Sequence, residues 1–298
     1  MAFSGLTWPT LTNPLLNGLK VQLDFPVAVA GNGTYEYRAA RSAYARRTWT
    51  FPTRSLLDSD RNLLISLWSQ VGGSLNSFLF QDPDNNSFTA VNIGTGTQIN
   101  PPAAPTVTTS TTGGTIAAST LLTYGVTALN AQGESTESGT TNITTGSTTA
   151  TNSNTISWTA VTGATSYNIY QGGKLIGNTT ALTFTDTGYP QGAAAPTVNG
   201  TGTQNYPLLV PMAGILHPIW HPSGLTVNGS GTGFTFTTLN GQPVVQFPAG
   251  SCPAYGVAVA ASAAYQFAVR FTASAGYALN VVGTTSGYNA ISFTEVFE

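Results

Sequence analysis

The chain has 298 residues, 41% of them hydrophobic and only 7% charged, with a net charge of −2. A soluble domain usually carries about 25% charged residues, so Thr, Ser, Asn and Gly must supply the polar surface. That suits strands and turns, and it suits a subunit of a larger assembly. The balance gives no footprint for sequence-specific nucleic-acid binding or a membrane surface, Cys252 is the only cysteine and so excludes an intrachain disulfide, and no apolar run is long enough to span a bilayer.

The opening stretch, MAFSGLTWPTLTNPLL, has no basic start and no continuous apolar core. A signal peptide is therefore not expected, and synthesis in a cytoplasm is. Residues 1–93 hold seven of the nine basic residues: Lys20, Arg38, Arg41, Arg46, Arg47, Arg54 and Arg61. Strand-like runs follow one another: LKVQLDFPVAV, YEYRAARSAYARRTWTF and NSFLFQ. Between the last two lies the one convincing helix. DSDRNLLISLWSQVGG offers Asp58 or Ser59 as N-cap, places Leu63, Leu64, Leu67 and Trp68 on one stripe, and stops at Gly72 and Gly73. Asp82-Pro83-Asp84 followed by two Asn is a turn.

Residues 99–199 change composition: Lys174 is their only basic residue, and Thr and Ser dominate. LLTYGVTALNAQGES and NTISWTAVTGATSYNIYQGGKLIGN alternate apolar and polar residues, with Tyr124, Val126 and Ala128 on one face and Tyr167, Ile169 and Trp158 for the same core. This is the pattern of a small β-sandwich. Beyond it, FTFTTLNGQPVVQF reads as a hairpin turning at Asn240-Gly241, and AYGVAVAASAAYQFAVRF and AISFTEVFE read as long strands. The string GTGTQ occurs at 94–98 and 200–204, and AAPTV at 103–107 and 194–198, in inverted order. Matching strings at both seams point to an insertion: residues 1–98 and 205–298 form one discontinuous host domain, and 99–204 an inserted sandwich with linkers. The fold class expected is all-β with one amphipathic helix, a β-sandwich or barrel-like host interrupted by an immunoglobulin- or fibronectin-like sandwich.

Catalytic, cofactor and metal sites are not expected. His217 and His221 lie four apart, but Pro218 and Pro222 exclude the helix that would bring them to one ion, so a packed His-Pro turn is the better reading. The carboxylate pairs Asp58/Asp60 and Asp82/Asp84 fall where a helix cap and a turn belong. Nucleophile-elbow, phosphate-loop and Cys/His patterns are missing.

The outer pieces resemble the distal tail proteins of phages, a family also found in gene transfer agents. The resemblance rests on Phe25-Pro26, then Arg46, Arg47, Trp49 and Arg54, then the helix, then Phe78, Phe80 and Asp82-Pro83, and at the far end on HPIW, LTVNGSGTGFTF, YQFAVRF and ISFTEVFE. It covers about two-thirds of the chain, and it departs from the family pattern where the Gly-Thr-Gly segment and FTASAGYALNV lack acidic residues. The middle piece is similar to fibronectin type III domains, except that the Trp strand comes second rather than first, which leaves its strand topology open. The resemblance implies a non-enzymatic virion subunit, made in the host cytoplasm, that forms a homo-oligomeric ring, expected to be a hexamer, at the tail tip. Its partners would be the tail tube protein and the baseplate hub protein. The sandwich would project outward, as decoration or against a cell-surface glycan. The alternative is a carbohydrate-binding adhesin built around the sandwich.

Six arginines between Arg38 and Arg61 are a concentration in so sparsely charged a chain. They read either as a solvated face paired with Glu36, Asp58 and Asp60, or as a subunit interface using desolvated bidentate pairs. DNA contact in a tube lumen is a third reading. The candidate interface set is Arg38, Arg41, Arg46, Arg47, Arg54, Asp82 and Asp84, with Glu295 and Glu298 as further acceptors.

Overall fold

The computed structural model describes residues 3–12, 19–25, 27–31, 36–40, 44–51, 54–147, 150–212, 214–272, 280–282, 285–288 and 291–297. As expected, the protein is mainly β, with one α-helix, Asp58–Val71, among the described residues; the described strands form several sheets and no closed barrel.

That sheet has eight strands and is organised by Ala258–Phe271. At 14 residues this strand is long enough to pair twice. Its first half lies between Ser87–Thr95 and His221–Val227, and its second half between Ser77–Phe80 and Ile291–Glu295. The order then continues through Arg46–Phe51 to an edge at Lys20–Asp24, while Phe3–Thr7 pairs parallel to Ser77–Phe80 at the other edge. The pleat sends alternate residues inward, and here they are large aromatics. Trp49 and Phe51 meet Phe78, Phe80, Phe267, Phe271 and Phe293 in one core. Trp8 stacks flat on Phe51 with centroids 5.5 Å apart, and Phe80 meets Phe293 edge-on at 4.7 Å. Burying one such ring contributes roughly 1.5–3 kcal/mol.

The helix covers this core with Leu64, Leu67 and Val71. Trp68 is half-buried and packs on Phe271 at 4.8 Å, whereas Leu63, expected on the stripe, points to solvent. The expected stop is found: Gly72 is left-handed, its N–H reaches Ser69 O, and the Gly73 N–H reaches Trp68 O, the paired bonds that close a helix end. The expected cap is corrected. The extended residue before the helix is Leu57, which leaves Asp58 inside the first turn, paired with Arg61 at 3.0 Å. Asp60 is buried instead and accepts the Thr12 backbone N–H at 2.9 Å.

The middle of the chain builds two sheets. Leu121–Asn130 pairs with Ser166–Gln171, which pairs with Lys174–Thr179; Thr141–Thr144 and Gly133–Glu134 pair along the other side of Leu121–Asn130. Ser153–Ser157 lies between Thr106–Ser110 and Thr183–Asp186. Both sheets supply one core, with Tyr124, Val126, Ala128, Tyr167 and Ile169 from the first and Val107, Ile156 and Phe184 from the second. This is a sandwich, and the aromatic parity read from the sequence is the one observed. The Trp158 segment follows the second sheet's central strand and packs on Tyr167 at 5.4 Å.

The repeated GTGTQ strings lie side by side. In the first, the Gly96 N–H reaches Val257 O at 2.7 Å and the Gln98 N–H reaches Pro253 O at 3.2 Å. In the second, Gly200 and Gly202 donate to Glu134 O and Gln132 O, and Thr201 O accepts from Gly250. The side-chain amide of Asn199 donates to Ile99 O at 2.7 Å, so the chain leaves and returns at one place. Gly96 answers why the first copy needs glycine there: a Cβ would stand 2.3 Å from Ala254 O.

Candidate functional site

The arginine segment is the natural place to build from. Strand Arg46–Phe51 alternates half-buried and buried residues, so Arg47, Trp49 and Phe51 face the core while Arg46, Thr48 and Thr50 face out. Arg47 is only 4% exposed. Its guanidinium lies 5.1 Å over the Phe267 ring, its Nη2 is 2.8 Å from Met212 Sδ, and its Nη1 stands 3.6 Å from Asp82 Oδ2.

Asp82 is held as tightly. Its Oδ2 accepts the Trp49 indole N–H at 3.1 Å, and its Oδ1 accepts the Asp84 backbone N–H at 3.0 Å. That second bond is the Asx turn expected of Asp-Pro-Asp. Glu295, arriving on the closing strand, accepts the Arg47 backbone N–H at 3.2 Å and meets His217 Nε2 at 3.0 Å through the same oxygen, Oε2. His217 Nδ1 is 3.1 Å from Pro218 O. Both ring nitrogens thus lie within hydrogen-bond reach of an oxygen. Tyr265 borders the group, and its hydroxyl donates to Met212 Sδ at 3.8 Å. Burial pushes this hydroxyl up to about 12; Arg47 pulls it down, and the Asp82 and Glu295 carboxylates push it further up.

Arg47 and Asp82, expected at a subunit interface, are therefore inside the chain and committed to each other. Arg46 is outward and half-buried, with its guanidinium 5.6 Å over Phe297, and Asp84 is exposed. Arg38 and Arg54 belong to strands Glu36–Ala40 and Arg54–Leu56, but their side chains, with Arg41 and Glu298, lie outside the described residues. Glu295, expected as an acceptor on a neighbouring copy, serves its own chain. The histidine pair is also separated by the fold. His217 sits in Ile215–Pro218 opposite Val210, and His221 begins His221–Val227 opposite Gln266, so a strand pair replaces the expected turn. Sequence reasoning passed over the inward parity of Arg47 with Trp49 and Phe51, and of Glu295 with Phe293; that parity was the available signal.

The chemistry of this cluster is structural. Its ions are buried and face one another rather than a cleft. A separate cleft of about 500 Å³ is lined by Trp8, Leu11, Phe51, Phe80, Gln266 and neighbouring residues, with no ionisable side chain among its described lining. Among the described residues no group of three or more His, Cys, Asp or Glu is placed to hold a metal ion, and no helix is long and apolar enough to cross a membrane.

Two carboxylates of the sandwich, Asp186 buried and Glu134 half-buried, each gather several hydrogen bonds. Asp186 takes bonds from Tyr124, Gln171 and the backbone of Gly188. Glu134 takes them from Thr127, Asn168 and Tyr170, and burial, then Glu134, push the Tyr170 hydroxyl up to about 12. These tie sheets and turns together. No protein-family model matches the chain, and no curated protein matches its sequence.

Proposed function

We propose that the chain is a non-enzymatic structural subunit of a phage tail, forming a ring that joins the tail tube to the baseplate or hub, with residues 99–204 as an inserted, outward-projecting sandwich. The observation that carries the reading is the convergence of the resembling residues. Arg47, Trp49, Phe80 and Asp82 come from separate stretches of sequence, yet they form one contact unit: Trp49 bonds Asp82, rings with Phe80 at 5.4 Å and lies beside Arg47, which pairs with Asp82. Residues that define a pattern across a family are expected to share one core in this way. The insertion is supported by the single place of exit and return, where Asn199 bonds Ile99 O.

The adhesin reading predicts aromatic side chains displayed on a sandwich face. Trp158, Tyr124, Tyr167 and Tyr170 are instead buried, and of the sandwich's aromatic residues only Tyr189 is exposed, which weakens its chief support. The test is the mass of the purified protein, followed by negative-stain imaging. Rings are expected, and a chain that stays monomeric at high concentration in both low and high salt contradicts the proposal. Because Arg47 is internal, Arg46→Ala alone is the variant that probes the outward arginine face.

A further inference from the structure

The sheet's edge strand carries information that the tail reading does not use. Lys20–Asp24 pairs with Arg46–Phe51 on one side, and among the described residues it has no partner on the other. All five of its residues are exposed. Val21 stands opposite Trp49, and Leu23 opposite Arg47. Directly opposed residues point to the same face, so these two aliphatic side chains lie on the core side of the sheet, where the core layer has run out. Val21 is 44% exposed, Leu23 41% and the following Phe25 52%. Lys20, Gln22 and Asp24 lie on the outer face, opposite Thr50, Thr48 and Arg46.

An open, apolar strand edge is a template for another strand, and proteins usually blunt it with charge. Here the charges do the reverse. Reading Leu19–Phe25 outward from Gln22 gives Val21 and Leu23, then Lys20 and Asp24, then Leu19 and Phe25. The apolar positions match in kind, and the charged ones are opposite in sign. We propose that this strand is a two-fold self-association surface, along which two copies of the chain pair antiparallel with Gln22 on the axis. Lys20 of each copy then faces Asp24 of the other, Val21 faces Leu23, and Leu19 faces Phe25. The apolar faces join into one stripe on the core side, and the outer face gains two cross-strand ion pairs. A single residue's shift in register would set Lys20 against Leu23 and turn the apolar set to the wrong face, so the pattern specifies one pairing. The contact is isologous. It does not rest on the ring reading, whose contacts are head-to-tail.

The test combines charge reversal with cross-linking in the full chain. Lys20→Asp alone and Asp24→Lys alone each turn both symmetric ion pairs into like-charge pairs, and each should weaken association measured by sedimentation velocity about tenfold or more. The double reversal restores opposite signs and should return association to the wild-type range. Gln22→Cys should give a disulfide-linked dimer under mild oxidation. Leu216→Cys, at an exposed position elsewhere, should not, and neither should the wild-type chain, whose Cys252 is buried. Unchanged far-UV circular dichroism shows that each variant folds. Association untouched by the single reversals, no recovery in the double, or cross-linking of Gln22→Cys no greater than that of Leu216→Cys overturns the proposal. Rings that form without Gln22 cross-linking leave the tail reading standing and remove this contact; cross-linked dimers without rings do the opposite.

Discussion

Replacing Asp82 with alanine should be among the most damaging single changes in the host core. Three interactions end at this carboxylate: the ion pair from Arg47 at 3.6 Å, the Trp49 indole N–H at 3.1 Å and the Asp84 backbone N–H at 3.0 Å. Asp84 is exposed, so water replaces its bond at little cost. Arg47 and Trp49 are buried, so water cannot reach them. An orphaned buried ion costs about 3–5 kcal/mol, and an unmet indole donor about 1–3 kcal/mol. Because the two share one acceptor their losses overlap, and about 4–6 kcal/mol is expected for Asp82→Ala. This is the cost of breaking the pair and does not measure what the pair contributes, since a matched apolar replacement of a buried pair is often neutral. The second arm follows from that distinction. Arg47→Met removes the cation while keeping a chain of similar length against Phe267. Combined with Asp82→Ala it should cost at least about 2 kcal/mol less than the sum of the single changes. Urea unfolding of the four proteins, followed by circular dichroism, supplies the cycle. A loss below about 1 kcal/mol for Asp82→Ala, or strict additivity in the double, would refute the placement of a charged Arg47 beside Asp82.

Gly96→Ala should destabilise markedly, because its Cβ would meet the Ala254 and Pro253 carbonyls at 2.3 and 2.4 Å, whereas Gly202→Ala, the equivalent residue of the second GTGTQ, meets nothing within 4 Å and should be near neutral in the same melt. Leu64→Ala should cost about 2–5 kcal/mol and Leu63→Ala under about 1 kcal/mol, since the first is fully buried and the second exposed. The hydroxyls of Tyr170 and Tyr265 are raised to about 12, so the folded chain keeps protons that the unfolded chain releases from its ordinary value of 10.0 upward. Their contribution is whole below pH 10, and stability should fall between pH 10 and 12 by about 1.4 kcal/mol per pH unit for each tyrosine. Tyr265→Phe should flatten that decline in the urea midpoint; an unchanged slope removes Tyr265 as a source.

What could be read from the sequence was what depends on neighbours along the chain. Period-two parity located the sandwich core, Asn240-Gly241 marked a hairpin of the host, and Gly72-Gly73 ended the helix, because each signal sits within a few residues of the structure it causes. The arginine cluster shows where that logic stops. Judged by nearby residues, six arginines lacked acceptors, and a neighbouring subunit was one way to supply them. The fold sets the Arg47 guanidinium beside Asp82, and the closing strand, laid beside Arg46–Phe51, brings Glu295, 248 positions away, onto the Arg47 backbone N–H. Asp60 was misread for the same reason: its partner is the Thr12 backbone, 48 residues earlier, and a cap is decided by where the backbone turns extended, at Leu57. Parity along the strand contained the missing clue. Arg47 shares the inward face with Trp49 and Phe51, so either it was to be buried with an anion or the strand was to lie at an interface. The same parity, applied to Lys20–Asp24, leaves Val21 and Leu23 on a core face that the described residues of their own chain leave exposed, and there the anion-free, apolar remainder calls for a second copy rather than a distant segment.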